Sequence, residues 1–261
     1  MIHLINAANR HLYTAVLDQM HRARTDHFVG ERGWTNLAVE SGQELDEYDT
    51  DETLYLVGFD EKGGIAVSAR LIPADRGCVL SDHFAHLVEE GPASGPGVFE
   101  LSRYFASPAL RGRQHFPVKA SMNLAVIEAL VERGASRLVG FTDLHLLGTL
   151  RYSGWRVRPI GLPAAYDEGT AAAFEIACRP ADLEEMREAV QLPGRQLFEA
   201  PSWLPRGCDV RTLADATSLV INVPSALSTP ALEAVSRTVR DWRPQGDLEP
   251  LFARLGERAA A

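Results

Sequence analysis

The spacing of hydrophobic residues changes from helical to strand-like along the first hundred positions. Over residues 7–28 apolar side chains recur every three or four positions, which predicts an amphipathic helix. Residues 53–59 and 65–72 are instead almost continuously apolar, and the segment Asp60-Glu61-Lys62-Gly63-Gly64 between them is typical of a tight hairpin turn. The pattern therefore predicts one helix followed by a pair of antiparallel strands.

Predicted strands and helices alternate between residues 98 and 195. A loop rich in glycine and proline over 91–97 precedes them, and Gly134 stands where the longest helix should end. In chain order the predicted elements are a strand over 98–106, a helix over 116–133, a strand over 137–142, a short helix up to 153, strands from 154 and over 170–178, and helical turns from 181. Strands interleaved with helices in this order predict a mostly antiparallel α+β sheet covered by helices.

The segment after Arg195 differs in composition from the rest of the chain. It carries six prolines, Pro201, Pro205, Pro224, Pro230, Pro244 and Pro250. Thr229-Pro230 is a suitable helix start before residues 231–242, because proline is favoured at the first helical position. We therefore predict a main domain over 1–195 and a loop-rich, helical extension over 196–261 whose role is unknown.

Composition narrows the class of protein. The chain has 261 residues, 46% of them hydrophobic, which is enough for one core. No apolar run approaches the roughly 20 residues of a membrane span, and residues 1–10 lack the pattern of a secretory signal. The three cysteines, Cys78, Cys178 and Cys208, are odd in number and far apart, which favours free thiols in a reducing cytoplasm. We expect a cytoplasmic protein without stable membrane insertion, and no metal site, since the scattered histidines have no completing ligands.

The net charge of −9 hides an asymmetry. Residues 1–100 carry seven basic and seventeen acidic side chains, residues 101–160 nine and three, and residues 161–261 ten and fifteen. The middle segment is therefore basic in an acidic protein, and either docks an anionic partner or is a solvated face. Nucleic acid is a poor candidate, because the chain as a whole would repel phosphate and no binding motif occurs.

A set of aromatic, basic and acidic residues with distinctive spacing lies between residues 24 and 104. Its elements are Arg24-x3-Phe28-x5-Trp34, Glu44-x-Asp46-x2-Asp49, Arg70-Leu71-Ile72-Pro73, Phe84 and Glu100-Leu101-Ser102-Arg103-Tyr104. Unpaired charge would be costly to desolvate in this apolar region, so the set indicates a polar site built into a core. Its order and intervals resemble those of the acyl-homoserine-lactone (autoinducer) synthases, from about Arg24 to about Gly161.

The resemblance implies a GNAT-like α/β/α sandwich and a two-step reaction. S-adenosylmethionine would be acylated on its amine by an acyl thioester of acyl carrier protein or coenzyme A. Its carboxylate would then displace methylthioadenosine and close a lactone, a quorum-sensing signal. Both reactants are substrates, so no cofactor is expected. Two alternatives stay open: an N-acyltransferase of the same fold that makes a non-lactone acyl amino acid, and a catalytically degenerate relative that only binds ligand.

The resemblance assigns part of the set to S-adenosylmethionine. Phe28 and Trp34 would offer an aromatic face to the sulfonium or adenine, worth about 0.5–2 kcal/mol for a cation, although a plain hydrophobic cluster also explains them. Asp46 and Asp49 are three positions apart, so a helical turn would put both carboxylates on one side, to hold the ammonium or brace arginines. The remaining residues assigned to substrate binding are Arg24, Arg70, Phe84, Ser102, Phe105 and Thr142. For the two arginines a structural ion pair is the favoured role, because arginine cannot shed its charge.

Glu100 and Arg103 are the predicted catalytic residues. By the resemblance, Glu100 is the general base for the amine, acting through water, and burial would raise its pKa for that role. Neutralising an arginine is the rival role. Positions three apart on a regular strand face opposite sides, so both can reach one site only if the strand carries a β-bulge.

The donor is expected at the basic middle segment. Leu110-Arg111-Gly112-Arg113-Gln114 precedes a helix whose N-terminus could accept a phosphate, but the full glycine-rich loop of coenzyme A users is incomplete, which favours a carrier protein. The residues predicted to dock it are Arg111, Arg113, Lys119, Arg151 and Arg158. Thr142 matches the family position associated with 3-oxo-acyl chains, whereas Leu146-Leu147-Gly148 replaces the usual Met-Glu-Arg, so the acyl chain is left open.

Overall fold

The apolar runs assemble into one nine-stranded sheet beside a small separate hairpin. The computed structural model describes residues 1–108, 110, 115–150, 154–166 and 169–215. The strands are β1 (Ile2–Ile5), β2 (Val39–Glu40), β3 (Gln43–Glu44), β4 (Leu54–Phe59), β5 (Ile65–Pro73), β6 (Val98–Ala106), β7 (Arg137–Asp143), β8 (Arg158–Pro159), β9 (Ala164–Tyr166), β10 (Gly169–Ala177) and β11 (Leu197–Glu199). The order across the large sheet is β11-β1-β4-β5-β6-β7-β10-β8, with β9 also on β10, while β2 and β3 pair separately.

Helices cover both faces of this sheet. They are α1 (Thr14–Arg24), which continues into a π-helical turn (Thr25–Glu31), α2 (Val79–His83), α3 (His115–Glu132), α4 (Leu144–Leu150) and α5 (Pro180–Val190), with short 3-10 turns at Arg10–Leu12 and Ala85–Leu87 and a helical turn over 210–215. Leu54 and Leu56 of β4 pack into the core that contains α3 and α5, whereas Tyr55 and Val57 pack into the core that contains α1. The expected α/β/α sandwich is therefore confirmed. None of the described helices is long and apolar enough to cross a membrane.

The sheet is mostly antiparallel, as predicted, with parallel pairs at β1–β11 and β6–β7. The predicted helix over 7–28 is correct in its centre but wrong at its start. Asn6 and Asn9 form a side-chain-bonded turn there, and the Asn9 amide donates to the carbonyl oxygens of Leu4 and Ala200. These local bonds compete with helix formation, so α1 begins only at Thr14.

The start of the predicted extension belongs to the main sheet. Leu197–Glu199 pairs in parallel with β1, and Phe198, Leu204, Val210 and Leu213 are buried in the same core as α1. Residues 196–215 therefore complete the sandwich, where we had expected only helices and loops. The rest of the predicted extension, including the helix expected over 231–242, lies outside the described residues, and the domain boundary stays a prediction.

One parallel pair of strands parts soon after it begins. β6 and β7 are paired only from Val98–Arg137 to Glu100–Val139, although both strands continue beyond these residues. Past Glu100 no residue of β6 pairs with a residue of β7, so the two strands part. This divergence opens a gap in the middle of the sheet and positions the candidate site.

Candidate active site

Three arginines and three carboxylates form a closed network beside β5 and β6. Arg24 donates to Glu44 at 2.5 Å and to Asp49 at 2.7 and 3.0 Å. The remaining charge-paired contacts join Arg70 to Asp46 at 2.5 and 2.9 Å and to Asp49 at 2.9 Å, and Arg103 to Glu44 at 2.8 Å and Asp46 at 2.9 Å. Each ion has at least two partners of opposite sign, so the acids brace the arginines, which is one of the two uses that the sequence left open for Asp46 and Asp49.

The network is buried, and its charges depend on one another. Arg24 and Arg70 are each only 1% exposed, and Glu44 is fully buried. Burial opposes the ionisation of Asp49, but the hydrogen bond from Arg24 and the charge of Arg70 hold the pKa of that carboxyl well below its usual range. Burial likewise opposes ionisation of Glu44, and the hydrogen bond from Arg103 and the charge of Arg24 lower its pKa. The neighbouring arginines therefore favour the charged forms of Asp49 and Glu44.

A β-bulge in β6 turns Arg103 towards this network. Ser68 of β5 pairs with Phe105 and Arg70 pairs with Ser102, so β6 contains one residue more than β5 over this interval. Arg103 lies within this interval. Its backbone φ of 48° is in the left-handed region, which is unfavourable for residues other than glycine. The bulge that the spacing of Glu100 and Arg103 required is confirmed.

The two predicted aromatic residues stack on each other at the end of the first helix. The rings of Phe28 and Trp34 are 5.0 Å apart with 25° between their planes. The Arg103 guanidinium lies 5.7 Å from the Phe28 ring centre, and the Arg32 guanidinium lies 5.3 Å from the Trp34 ring centre. Phe28 belongs to the π-helical turn that follows α1. Both aromatic rings of the pair therefore have an arginine guanidinium within cation–π distance.

A cavity of about 520 Å³ occupies the gap between β6 and β7. Its wall contains Phe28, Trp34 and Arg103 on the network side and residues of α3 and α4 on the other side. The apolar part is lined by Leu101, Phe116, Ala120, Leu146, Leu150, Trp155 and Phe174. The cavity thus joins the two faces of the sheet, with a polar and aromatic side and a mainly apolar side.

Glu100 lies behind the wall of this cavity. It is fully buried where β6 and β7 part, and its Oε1 accepts a hydrogen bond from the Leu80 amide at 3.2 Å. Its Oε2 has no hydrogen-bond partner among the described residues. Burial raises the pKa of Glu100 to about 7, against the opposing charge of Arg70. Glu100 can therefore exchange a proton near neutral pH, although it is not among the residues that line the cavity.

The predicted substrate residues divide into those that line the cavity and those that support it. Lining it are Phe28, Trp34, Ser102, Arg103, Phe105 and Thr142. Behind it are four members of the network, Arg24, Asp46, Asp49 and Arg70. Phe84 is also behind the wall, with its ring centre 4.4 Å from that of the lining residue Phe141. Asp46 and Asp49 are each paired with two arginines. Neither carboxylate is therefore free to hold a substrate ammonium, which was the other use expected for them.

The predicted donor-docking residues have different surroundings. Lys119 is half-buried in the cavity wall, and burial lowers its pKa. Arg158 is paired with Glu90 at 2.6 Å and with Glu175 at 2.8 Å, so it lacks the free charge on which its docking role depended. Arg111, Arg113 and Arg151 lie outside the described residues.

Among the residues that are described, no cluster suited to a metal ion occurs.

Sequence reasoning missed a polar group at the cavity. Asp143, at the end of β7, accepts hydrogen bonds from Arg32 and from the Tyr166 hydroxyl. All three residues line the cavity. They come from distant parts of the chain, and none belongs to the motif set, so only the proximity of Arg32 to Trp34 could have drawn attention to them.

A sandwich of this kind, whose central strands part around a cavity, has the GNAT-like fold. The family model described as autoinducer synthase matches residues 8–187. The chain belongs to the autoinducer synthase family.

Curated relatives agree with this assignment. The isovaleryl-homoserine lactone synthase of Bradyrhizobium diazoefficiens is 32% identical over 194 residues, which cover 74% of this chain and 87% of that protein. An acyl-homoserine-lactone synthase of Agrobacterium fabrum is 30% identical over 67% of this chain and 84% of that protein. The enzyme is an acyl-homoserine-lactone synthase, and S-adenosylmethionine and an acyl thioester are its substrates rather than bound cofactors.

Solved structures give the same fold. The coenzyme A-dependent synthase BjaI, solved with S-adenosylmethionine and isopentyl-coenzyme A, superimposes with a TM-score of 0.70 at 30% identity, over 82% of this chain and 98% of that chain. TofI, solved with an inhibitor and methylthioadenosine, gives a TM-score of 0.60 at 29% identity, over 74% of this chain and 98% of that chain.

Proposed function

We propose that acyl transfer and lactone closure both take place in the cavity between β6 and β7. The observation that carries this proposal is the continuity of the cavity from the aromatic pair on one face of the sheet to the apolar wall of α3 and α4 on the other. A reaction between a cationic nucleoside and an acyl thioester needs these two unlike environments side by side. The parted strands supply both without a second domain.

S-adenosylmethionine is assigned to the side of Phe28 and Trp34. A sulfonium or an adenine ring gains from an aromatic face, and the stacked pair offers a rigid one. Arg103 lines the same side, fixed by Glu44 and Asp46. The buried network keeps this wall in place, because removing any member would leave an uncompensated buried charge.

The acylation step moves one amine nitrogen and one acyl group. The ammonium of S-adenosylmethionine loses a proton, and its nitrogen attacks the thioester carbonyl carbon. The carbon–sulfur bond of the thioester breaks and the thiolate leaves with a proton released from the nitrogen. In the second step a carboxylate oxygen attacks the γ-carbon, the bond to the sulfonium breaks, and methylthioadenosine leaves.

Glu100 is assigned as the acceptor of the first proton. Its pKa of about 7 lets it be ionised for a substantial fraction of the time at neutral pH, with enough basicity to take a proton. Because Glu100 does not line the cavity, the proton reaches it through an intermediary, as a water-mediated role requires. This assignment fits the resemblance of residues 100–104 to the family motif.

The donor is assigned as a coenzyme A thioester. BjaI, which resembles this chain over 82% of its length, is described as coenzyme A-dependent. Arg158, one of the arginines expected to dock a carrier protein, is already paired with carboxylates. Lys119 in the cavity wall offers an anionic donor one positive charge near the apolar side.

Free cysteines at positions 78, 178 and 208 further agree with a cytoplasmic enzyme.

The experiment narrows the apolar side of the cavity without touching the buried core. Thr149 of α4 is exposed and lines the cavity, so Thr149→Trp should obstruct the acyl chain. We expect kcat/KM for an octanoyl donor to fall by about tenfold or more while the KM for S-adenosylmethionine changes little. His145→Trp, on the same helix and exposed but not lining the cavity, is the matched control.

Lactone, methylthioadenosine and free coenzyme A are measured together by mass spectrometry. Equal amounts of the three support the two-step reaction, whereas acyl amino acid without methylthioadenosine would indicate transfer alone. A Thr149→Trp enzyme that turns over every donor as the wild type does would place the acyl chain elsewhere. Turnover with an acylated carrier protein and none with coenzyme A thioesters would overturn the donor assignment.

A further inference from the structure

The substrate brings an ammonium and a carboxylate to a cavity with few free charges. Among the residues that the structure describes, three arginine and lysine side chains line the cavity: Arg32, Arg103 and Lys119. Arg103 is already held by two carboxylates of the buried network. Among the described residues that line the cavity, Asp143 is the one carboxylate. The amino-acid head group of S-adenosylmethionine must find its partners among these groups.

Asp143 and Arg32 form an ion pair between two walls of the cavity. Asp143 ends β7, and Arg32 follows the π-helical turn that carries Phe28. The Arg32 guanidinium binds Asp143 Oδ2, and the Tyr166 hydroxyl donates to Oδ1 of the same carboxylate. The side chain of Asp143 is 10% exposed and that of Arg32 is 30% exposed. The carboxylate is therefore fixed by Tyr166, while its arginine partner remains accessible.

The pair also lies beside the surface assigned to the substrate. The Arg32 guanidinium is 5.3 Å from the centre of the Trp34 ring, which stacks on Phe28. Thr142, the residue before Asp143, lines the same cavity. An adenosyl group on Trp34 would thus have a cation and an anion within reach of its amino-acid tail.

We propose that Arg32 and Asp143 are the binding site for the amino-acid head group of S-adenosylmethionine, with Asp143 receiving the ammonium and Arg32 the carboxylate. An ion pair presents one positive and one negative group side by side, which is the complement of a zwitterion. Inserting the zwitterion gives each charge a new partner of opposite sign, so no buried charge is left unpaired. Arginine offers a planar fork of donors that fits a carboxylate in a bidentate manner.

This inference rests on the assignment of S-adenosylmethionine to the cavity and adds the residues that select its head group. The competing explanation is that the pair only ties β7 to the π-helical turn. The two explanations predict different affinities for methylthioadenosine. This molecule has the adenosyl and sulfur part of the substrate but no amino-acid tail. Only a head-group site makes the affinity for S-adenosylmethionine depend on the pair while leaving the affinity for methylthioadenosine unchanged.

The experiment measures binding of both nucleosides by calorimetry to wild type, Asp143→Asn and Arg32→Gln. We expect each substitution to weaken S-adenosylmethionine by about 10- to 100-fold, the usual loss when a charged hydrogen bond is removed, and to change methylthioadenosine less than about twofold. Asp182→Asn is the matched control, since Asp182 is a similarly buried carboxylate bonded to an arginine, Arg179, far along the chain on α5. This control should bind both nucleosides as the wild type does.

Two further measurements keep the outcome decisive. Tyr166→Phe retains both charges and removes one hydrogen bond to Asp143, so it should weaken S-adenosylmethionine by only a few-fold. Thermal melts identify any variant that fails to fold. Equal weakening of both nucleosides by Asp143→Asn and Arg32→Gln, or unchanged binding of S-adenosylmethionine, would overturn the head-group site. Wild-type protein that binds neither nucleoside would instead overturn the assignment of the cavity itself.

Discussion

Glu100 and Arg103 lie on the same strand, and the bulge at Arg103 turns its side chain towards the face of the sheet that carries Arg70. Arg103 shares Asp46 with Arg70, and the charge of Arg70 acts on Glu100. The predicted base and the predicted arginine are therefore linked through one buried arginine, although they do not contact each other. Their positions differ accordingly: Arg103 forms part of the cavity wall, and Glu100 is buried behind it.

The first prediction concerns Glu100 in turnover. Replacing Glu100 by Gln removes the proton acceptor and keeps the shape, so kcat should fall by about 10²- to 10⁴-fold with nucleoside binding preserved. The wild-type kcat/KM should rise with pH through about 7, because the base must be ionised. Initial rates across pH with saturating donor check both points. A Gln variant with near-normal turnover would remove Glu100 from the mechanism.

The same carboxyl should also affect the pH dependence of stability. The pKa of Glu100 is raised from 4.5 to about 7 on folding, so the folded protein holds a proton that the unfolded chain has lost between these pH values. The contribution of Glu100 is thus most favourable below about pH 4.5 and is lost as pH rises through about 7. The rise corresponds to about 3 kcal/mol at most. Urea unfolding should show Glu100→Gln gaining on the wild type by up to that amount between pH 5 and 8.

A third prediction tests the network through Glu44, which is fully buried between Arg24 and Arg103. Glu44→Gln leaves two guanidinium groups with one carboxylate fewer, so the free energy of unfolding should drop by about 3–5 kcal/mol. Glu40→Gln, exposed on the same small hairpin, is the control and should change stability by less than about 0.5 kcal/mol. Equal losses for the two variants would mean that the hairpin, and not the ion pair, determines the effect.

The fourth prediction concerns Trp34, which is only half-buried. If its ring supports the nucleoside, Trp34→Ala should weaken both S-adenosylmethionine and methylthioadenosine while leaving most of the stability. A tryptophan that served mainly as core would instead cost about 3–5 kcal/mol when truncated. Calorimetric binding next to a thermal melt separates the two cases.

A fifth prediction compares two of the basic residues expected to meet the donor. Lys119→Met removes a half-buried charge from the cavity wall and should raise the KM for an acyl-coenzyme A by several-fold. Arg158→Met removes a charge that Glu90 and Glu175 already balance, so it should change that KM little. The reverse ranking would restore the outer surface as the docking site.

The motif set predicted the polar core well, because a charged side chain that is removed from water needs a partner of opposite charge. Arg24 and Arg70 are buried, and a buried arginine requires acid partners, which the motif supplies at Glu44, Asp46 and Asp49. The bulge followed from Glu100 and Arg103 for a similar reason, since a regular strand would separate them. In contrast, nothing in the local sequence shows that β11 pairs with β1, because a three-residue strand is defined by its distant partner.

The candidate site was predictable only where its residues belong to the motif. Arg32, Asp143 and Tyr166 meet because β6 and β7 part and β9 returns beside β10, and this is a property of the whole sheet. The paired state of Arg158 was equally hidden, since Glu90 lies 68 positions away. Charge counted along a segment does not show which charges remain free.

The buried network has a consequence for how substrates approach. Three positive and three negative groups in close contact have almost no net field beyond the screening length of about 8–10 Å. A distant molecule instead feels the overall charge of −9. An acyl-coenzyme A, which is strongly anionic, therefore approaches against repulsion, while the cationic nucleoside is attracted. Added salt should accordingly speed the encounter with the donor and slow the encounter with S-adenosylmethionine, so that the order in which the two reactants arrive depends on ionic strength.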